Sequence, residues 1–164
     1  MKLTLKHTLY PALLAGAATM SGAAMAQTAT ADLTVTLNVL GSCTVTAQTV
    51  AFTDQTSLTL TAEDLTRTIT VSCSAGLPYD LGLGLGQAAQ GQQRRMAAGG
   101  NFVNYGIYTD NGYTTSLTPI GGANHFTGTG TGVDQTYTIY ARLPAQTATG
   151  YGAYQDKPVM TVQW

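Results

Sequence analysis

Charged side chains are scarce in this sequence: they make up 9% of its 164 residues, and the net charge is −1. Nucleic acid is thereby excluded as a partner, because phosphate binding needs a basic face that releases counterions. Histidine is almost missing too. Beyond His7 near the start there is only His125, in a Gly- and Asn-rich stretch. Hydrolytic triads and zinc sites need a histidine with placed partners, so His125 reads as a solvated loop residue. Among the carboxylates only Glu63 and Asp64 are neighbours in sequence. Adjacent strand residues face opposite ways, so this pair reads as a surface turn rather than an acid/base couple. No apolar run after residue 26 is long enough to cross a bilayer, so no integral membrane segment is expected. An enzyme is excluded on these grounds, and neither a cofactor nor a metal is called for.

What is present begins with an export signal. Lys2, Lys6 and His7 form a basic start, an apolar run through Leu9, Leu13, Leu14 and Ala15 follows, and Ala24-Met25-Ala26 has the small-x-small pattern of a cleavage site. Residues 1–26 are expected to be a bacterial secretory signal peptide. They are too short, too rich in Ala and Gly, and interrupted by Pro11, for a membrane anchor. What remains suits one domain, which typically runs to roughly 100–200 residues. In an exported chain the two cysteines, Cys43 and Cys73, read as a structural disulfide formed in the periplasm. A hydrophobic content of 44% and nine Tyr argue for a packed core. The polar surface must then be built from Thr, Gln, Asn and Ser, and Thr favours strands. An uncharged exterior of this kind suits packing against copies of itself outside the cell.

Strand signals dominate and no amphipathic helix follows the signal. Leu33, Val35, Leu37 and Val39 alternate with Thr34, Thr36 and Asn38, the period-2 signature of a strand with one buried face. Placed ahead of the cysteines, residues 27–40 are available to be lent to a neighbour. Further strands are expected at Cys43–Ala47, Leu58–Leu60, Leu65–Cys73 (with Arg67 at its rim), Tyr79–Gly86, Tyr105–Tyr108, Thr136–Leu143 and Val159–Trp164. Residues 87–100 are expected to be a mobile loop with Arg94 and Arg95 solvated, and Gly128–Gly132 loop punctuation. Asn111-Gly112 is a hairpin signal. The glycines of Gly82-x-Gly84-x-Gly86 look like a phosphate loop, but they alternate with Leu along a strand and no helix follows them. In the last strand Met160, Val162 and Trp164 share one face and Val159 and Thr161 the other. With no later strand to cover it, that edge invites addition of a foreign strand. Short strands at regular spacing indicate an antiparallel β-sandwich.

The chain resembles the spore coat protein U domain family, whose members include subunits of archaic chaperone–usher pili. The resemblance rests on Leu37-Asn-Val-Leu-Gly-Ser-Cys-Thr-Val45, the strand ending in Cys73, Gly76-Leu-Pro-Tyr79, Arg95-Met96, Tyr105-Gly-Ile-Tyr-Thr-Asp110 and Gly150-Tyr-Gly-Ala-Tyr-Gln-Asp156 with the strand to Trp164. It departs after Thr114-Thr115, where Ser116-Leu117 stands in place of an aromatic-Gly pair. The resemblance implies an all-β, incomplete immunoglobulin-like sandwich over 41–164, lacking its last strand, with an N-terminal donor strand. A periplasmic chaperone, and then, by way of an outer-membrane usher, the next pilin subunit, would fill the gap. Leu33, Val35, Leu37 and Val39 would be the donor side chains. Val159, Met160, Val162 and Trp164 would form a wall of the acceptor groove and the chaperone contact. The expected product is a secreted pilus fibre on the cell surface, supporting adhesion or biofilm formation. A spore- or cell-coat protein, and a fibre-tip adhesin using the Tyr-rich segments around Tyr105, Tyr108 and Tyr113 to bind glycan or surfaces, stay open as alternatives. Whether the leading strand instead completes its own chain also stays open.

Overall fold

The structure, a computed structural model, describes residues 26–164. The expected signal peptide lies outside the described residues except for Ala26. The chain divides between Leu37 and Asn38, and the strands all belong to the second part. In chain order they are β1 (Cys43–Ala47), β2 (Thr59–Leu60), β3 (Glu63–Cys73), β4 (Pro78–Leu83), β5 (Arg94–Ala98), β6 (Asn101–Tyr108), β7 (Phe126–Thr129), β8 (Asp134–Leu143), β9 (Gln146–Thr147) and β10 (Met160–Gln163). They form a five-stranded sheet in the order β1-β3-β8-β6-β5, a three-stranded sheet in the order β10-β4-β7, and the small pair β2-β9, antiparallel throughout.

Alternation explains the core. Along β3 and β8 the side chains of Ile69, Val71, Cys73, Ile139 and Ala141 point inward, while Thr66, Thr136 and Thr138 face solvent. They meet Tyr105 and Ile107 of β6, and Tyr79, Leu81 and Leu83 of β4, in one cluster between the sheets. This is the packing of an all-β, immunoglobulin-like sandwich. Cys43 and Cys73 are directly paired in the β1–β3 register and joined by a disulfide, S–S 2.03 Å.

Several local expectations need correction. Residues 87–100 are not one loop, because Arg94–Ala98 is β5, laddered onto β6. Arg94 is not solvated: it is 2% exposed, and it donates through Nε to Gly84 O and through Nη2 to Leu83 O and Leu117 O. Burial lowers its pKa, and three carbonyls rather than a carboxylate receive the charge. Arg95 stacks on Phe102, 4.3 Å from the ring centroid. Glu63 and Asp64 open β3 instead of forming a turn. Phe126–Thr129 is β7, so part of the Gly-Thr run pairs with β4. On the glycine face of β4 a Cβ on Gly82 would collide with the backbone of Ile120, so the 119–120 segment lies flat on the strand. The 109–115 hairpin does turn at Asn111-Gly112, where Tyr113 N donates to Asp110 O, and the Asp110 carboxylate adds to it by accepting from Thr114 N and Thr115 N. Tyr113 takes the left-handed conformation there, φ 56°. Leu117, in the departure from the family pattern, is fully buried in the core.

Candidate strand-acceptor groove

Two sheet edges stand side by side. β1 is the end strand of the larger sheet, laddered only to β3, and β10 is the end strand of the smaller, laddered only to β4. They lie next to each other, so among the described residues both outer edges keep unpaired N–H and C=O groups on one side of the sandwich. Beyond them the walls are irregular segments, 48–58 and 151–159, and between these segments the core is open.

The opening consists of two adjoining cavities. One, about 470 Å³, has Leu83, Ile107 and Ile139 as its floor and Val50, Tyr154, Pro158 and Met160 at its sides. The other, about 460 Å³, is floored by Leu60, Val103 and Leu143. Val50, Phe52, Met96 and Tyr154 line both, making a continuous apolar trough. Volumes of this size lie in the range typical of binding cavities. The walls hang on side-chain clamps. Arg67 Nε donates to Thr49 O at 2.9 Å, and Glu63 accepts from Thr53 N at 2.8 Å and Thr53 Oγ1 at 3.0 Å. Arg67, expected at the rim of its strand, thus holds the rim of the groove.

Of the residues expected to form the groove wall, Met160 and Val162 are half-buried and pack on the core. Val159 and Trp164 are exposed. Leu33, Val35, Leu37 and Val39 are 83–87% exposed and belong to no strand. Val50, Phe52, Met96 and Tyr154 were missed as lining residues. The short alternation Val50-Ala-Phe52 was a visible signal for two of them, but Met96 and Tyr154 are brought in by tertiary contacts alone.

Elsewhere several polar and aromatic side chains are held by neighbours, although Gln135 Oε1 is buried without a hydrogen-bond partner. Tyr105 is buried, and Arg142 covers Tyr113 at 3.5 Å from the ring centroid while Tyr108 and Tyr140 pack edge-on against it. Tyr108 and Tyr113 stay half-exposed, and Tyr105 and Tyr108 border a separate cavity of about 840 Å³. The hydrogen bonds from Arg142, at 2.7 Å, hold the Asp64 carboxyl below its usual range. Burial pushes the Tyr79 phenol up to about 12, helped by its hydrogen bond with Tyr137. His125 Nδ1 lies 2.8 Å from Gly122 O and Nε2 lies 3.6 Å from Asp80. Among the described residues no group of three or more His, Cys, Asp or Glu could hold a metal, and no helix is long and apolar enough to cross a membrane.

The family model of the Spore Coat Protein U domain matches residues 29–161, from ahead of Leu33 into β10. The chain belongs to the spore coat protein U domain family. This family is structural and non-enzymatic. The chain is also similar, at TM-score 0.56 and 22% identity, to a chain in the crystal structure of the CsuC-CsuE chaperone-tip adhesion subunit pre-assembly complex from archaic chaperone-usher Csu pili of Acinetobacter baumannii. The match covers 77% of this chain and 40% of that one, so this chain spans less than half of its neighbour's length. At this identity the likeness speaks to the fold. None of the curated proteins matches.

Proposed function

We propose that this chain is a secreted subunit of a chaperone–usher fibre and that residues 27–40 of one copy fill the groove of the next. The observation that carries the reading is the apolar trough flanked by two unpaired strand edges, in a chain whose exposed apolar side chains alternate over 33–39. An extended segment laid along such an edge gains main-chain hydrogen bonds, each netting about 1 kcal/mol. Each aliphatic side chain removed from water adds roughly 1.5–3 kcal/mol. Leu33, Val35, Leu37 and Val39 are the donor side chains, and Met160 and Val162 line the receiving wall. A periplasmic chaperone holds the groove before exchange, with exposed Val159 and Trp164 as its outer contacts, and an outer-membrane usher delivers the subunit. Family membership and the likeness to a chaperone–subunit complex support these partners. The finished fibre serves adhesion or biofilm formation at the cell surface. Removing residues 27–40 from the exported protein tests the reading. The intact chain should give fibres by electron microscopy and heat-resistant ladders on gels, and the shortened one only monomers. Equal assembly by both would end it.

A further inference from the structure

The 151–158 wall of the groove is not a strand, yet it borders both cavities. Backbone pairing holds it at one point, where Gln155 exchanges hydrogen bonds with Ala97 at 2.9 and 3.0 Å, and β10 begins only after Val159 O accepts from Gly84 N. Between these points stands Asp156. Its carboxylate accepts from Tyr105 Oη at 2.6 Å, Gln87 N at 2.8 Å and its own neighbour Lys157 N at 2.9 Å. Tyr105 belongs to the core and Gln87 to the chain leaving β4, so one side chain ties the wall to two other parts of the domain. Bonds to an ionised acceptor are short and stronger than neutral ones.

The chain makes room for this carboxylate. Gly86 sits at φ +89°, a conformation that L side chains rarely adopt, and a Cβ there would occupy the place of the Asp156 carboxylate. Tyr105 is 6% exposed, so its hydroxyl requires an internal partner, and Asp156 supplies it. Burial and this hydrogen bond together raise the phenol well above its ordinary pKa. Asp156, Lys157 and Pro158 all line the cavity over Ile107 and Ile139, so any shift of the carboxylate moves the wall itself.

We infer that Asp156, seated on Gly86 and Tyr105, is the positioning residue of the groove: it sets the place of the 151–158 wall and hence the width offered to an incoming strand. The inference rests on the strand-acceptor reading above. Asp110 provides the control, because it clamps a turn by a similar set of bonds from Thr114 and Thr115 but lines neither groove cavity.

The test compares exported wild-type protein with Asp156→Ala, Gly86→Ala and Asp110→Ala. Gly86→Ala displaces the carboxylate without removing it. It keeps the test open if Asp156→Ala fails to fold. Two quantities are read: amide hydrogen exchange along the chain, and the concentration of a synthetic 27–40 peptide that halves assembly. In Asp156→Ala and Gly86→Ala, exchange at 151–158 should rise and the half-blocking concentration should increase, each about tenfold or more, the scale of losing a hydrogen bond to a charged group. Exchange in β3 and β8 should stay as in wild type. Asp110→Ala should leave both quantities within about twofold, as expected for a distant site. Equal effects of the Asp156 and Asp110 variants would overturn the inference and leave Asp156 one structural clamp among several. If the peptide never blocks wild-type assembly but exchange at 151–158 still rises, the wall-positioning role stands and the donor-strand reading falls.

Discussion

Residues 33–39 and 67–73 are written in nearly the same pattern. Leu33-Thr-Val-Thr-Leu-Asn-Val39 and Arg67-Thr-Ile-Thr-Val-Ser-Cys73 each alternate polar residues with mostly apolar ones. Their fates differ completely. Ile69 and Val71 are 0% exposed in the middle of β3, whereas Val35 and Leu37 are 83% and 84% exposed and lie in no strand. Arg67, the one charged residue in these two stretches, is tolerated because it sits at the rim and reaches Thr49 O. The difference lies in the neighbours. β3 has β1 on one side, β8 on the other, and β4 across the core. Alternation therefore specifies a face suited to burial and leaves unspecified which chain supplies the cover.

Replacing Leu33, Val35, Leu37 and Val39 together by serine should eliminate heat-resistant ladders while shifting urea unfolding of the monomer by less than about 0.5 kcal/mol. A clearly destabilised monomer would mean that the segment covers its own chain. Ile69→Ala should do the opposite, lowering monomer stability by about 2–5 kcal/mol in the same urea experiment. Leu37→Ala alone should leave the monomer unchanged and weaken only the assembled form. Equal monomer effects from Ile69→Ala and Leu37→Ala would erase the distinction between the two stretches.

The disulfide ties β3 to the strand that follows the 27–40 segment. Replacing both Cys43 and Cys73 by serine should remove about 3–4 kcal/mol on the chain-entropy model, since the bridge closes a loop of sequence separation 30. Calorimetry of the variant beside the oxidised wild type measures it, and an unchanged melting temperature would contradict the assignment. The smallest effect concerns Asp64 on the solvent face of β3. Its folded pKa is lowered from 3.8 by Arg142, so its contribution is present above the unfolded value and disappears as pH falls through the folded one. Both partners are well exposed, so solvent screens the pair. The melting-temperature gap between wild type and Asp64→Asn should be slight near neutrality and close on acidification below the unfolded value. A gap that widens on acidification would reverse the sign.

Much of the sandwich was legible because β3, β6 and β8 carry inward apolar residues at every second position, and this pattern survives without knowledge of their partners. β5 was not legible. Arg94-Arg-Met-Ala-Ala98 has no alternation, and its first residue looks like a surface cation. Its burial depends on carbonyls of Leu83, Gly84 and Leu117, groups distant in sequence that converge only after folding. β7 was hidden for a related reason: Phe126-Thr-Gly-Thr129 offers one large side chain and gains its place by pairing with β4. Parity places Met160 and Val162 on the inward side of β10, where both pack on the core, while Met96 and Tyr154 reach the cavities from an unrecognised strand and an irregular wall.

By itself the sequence determined that this is an all-β chain with a cysteine pair, an alternating segment ahead of it, and no constellation for catalysis. These are properties of local periodicity and composition, carried by residues next to one another. Only the tertiary structure decided that the edges of β1 and β10 come together unpaired, that Arg94 is buried, and that Asp156 meets Tyr105 and Gln87 at the groove wall. Those outcomes depend on contacts between distant residues, where packing and the need to satisfy buried polar groups override local preference.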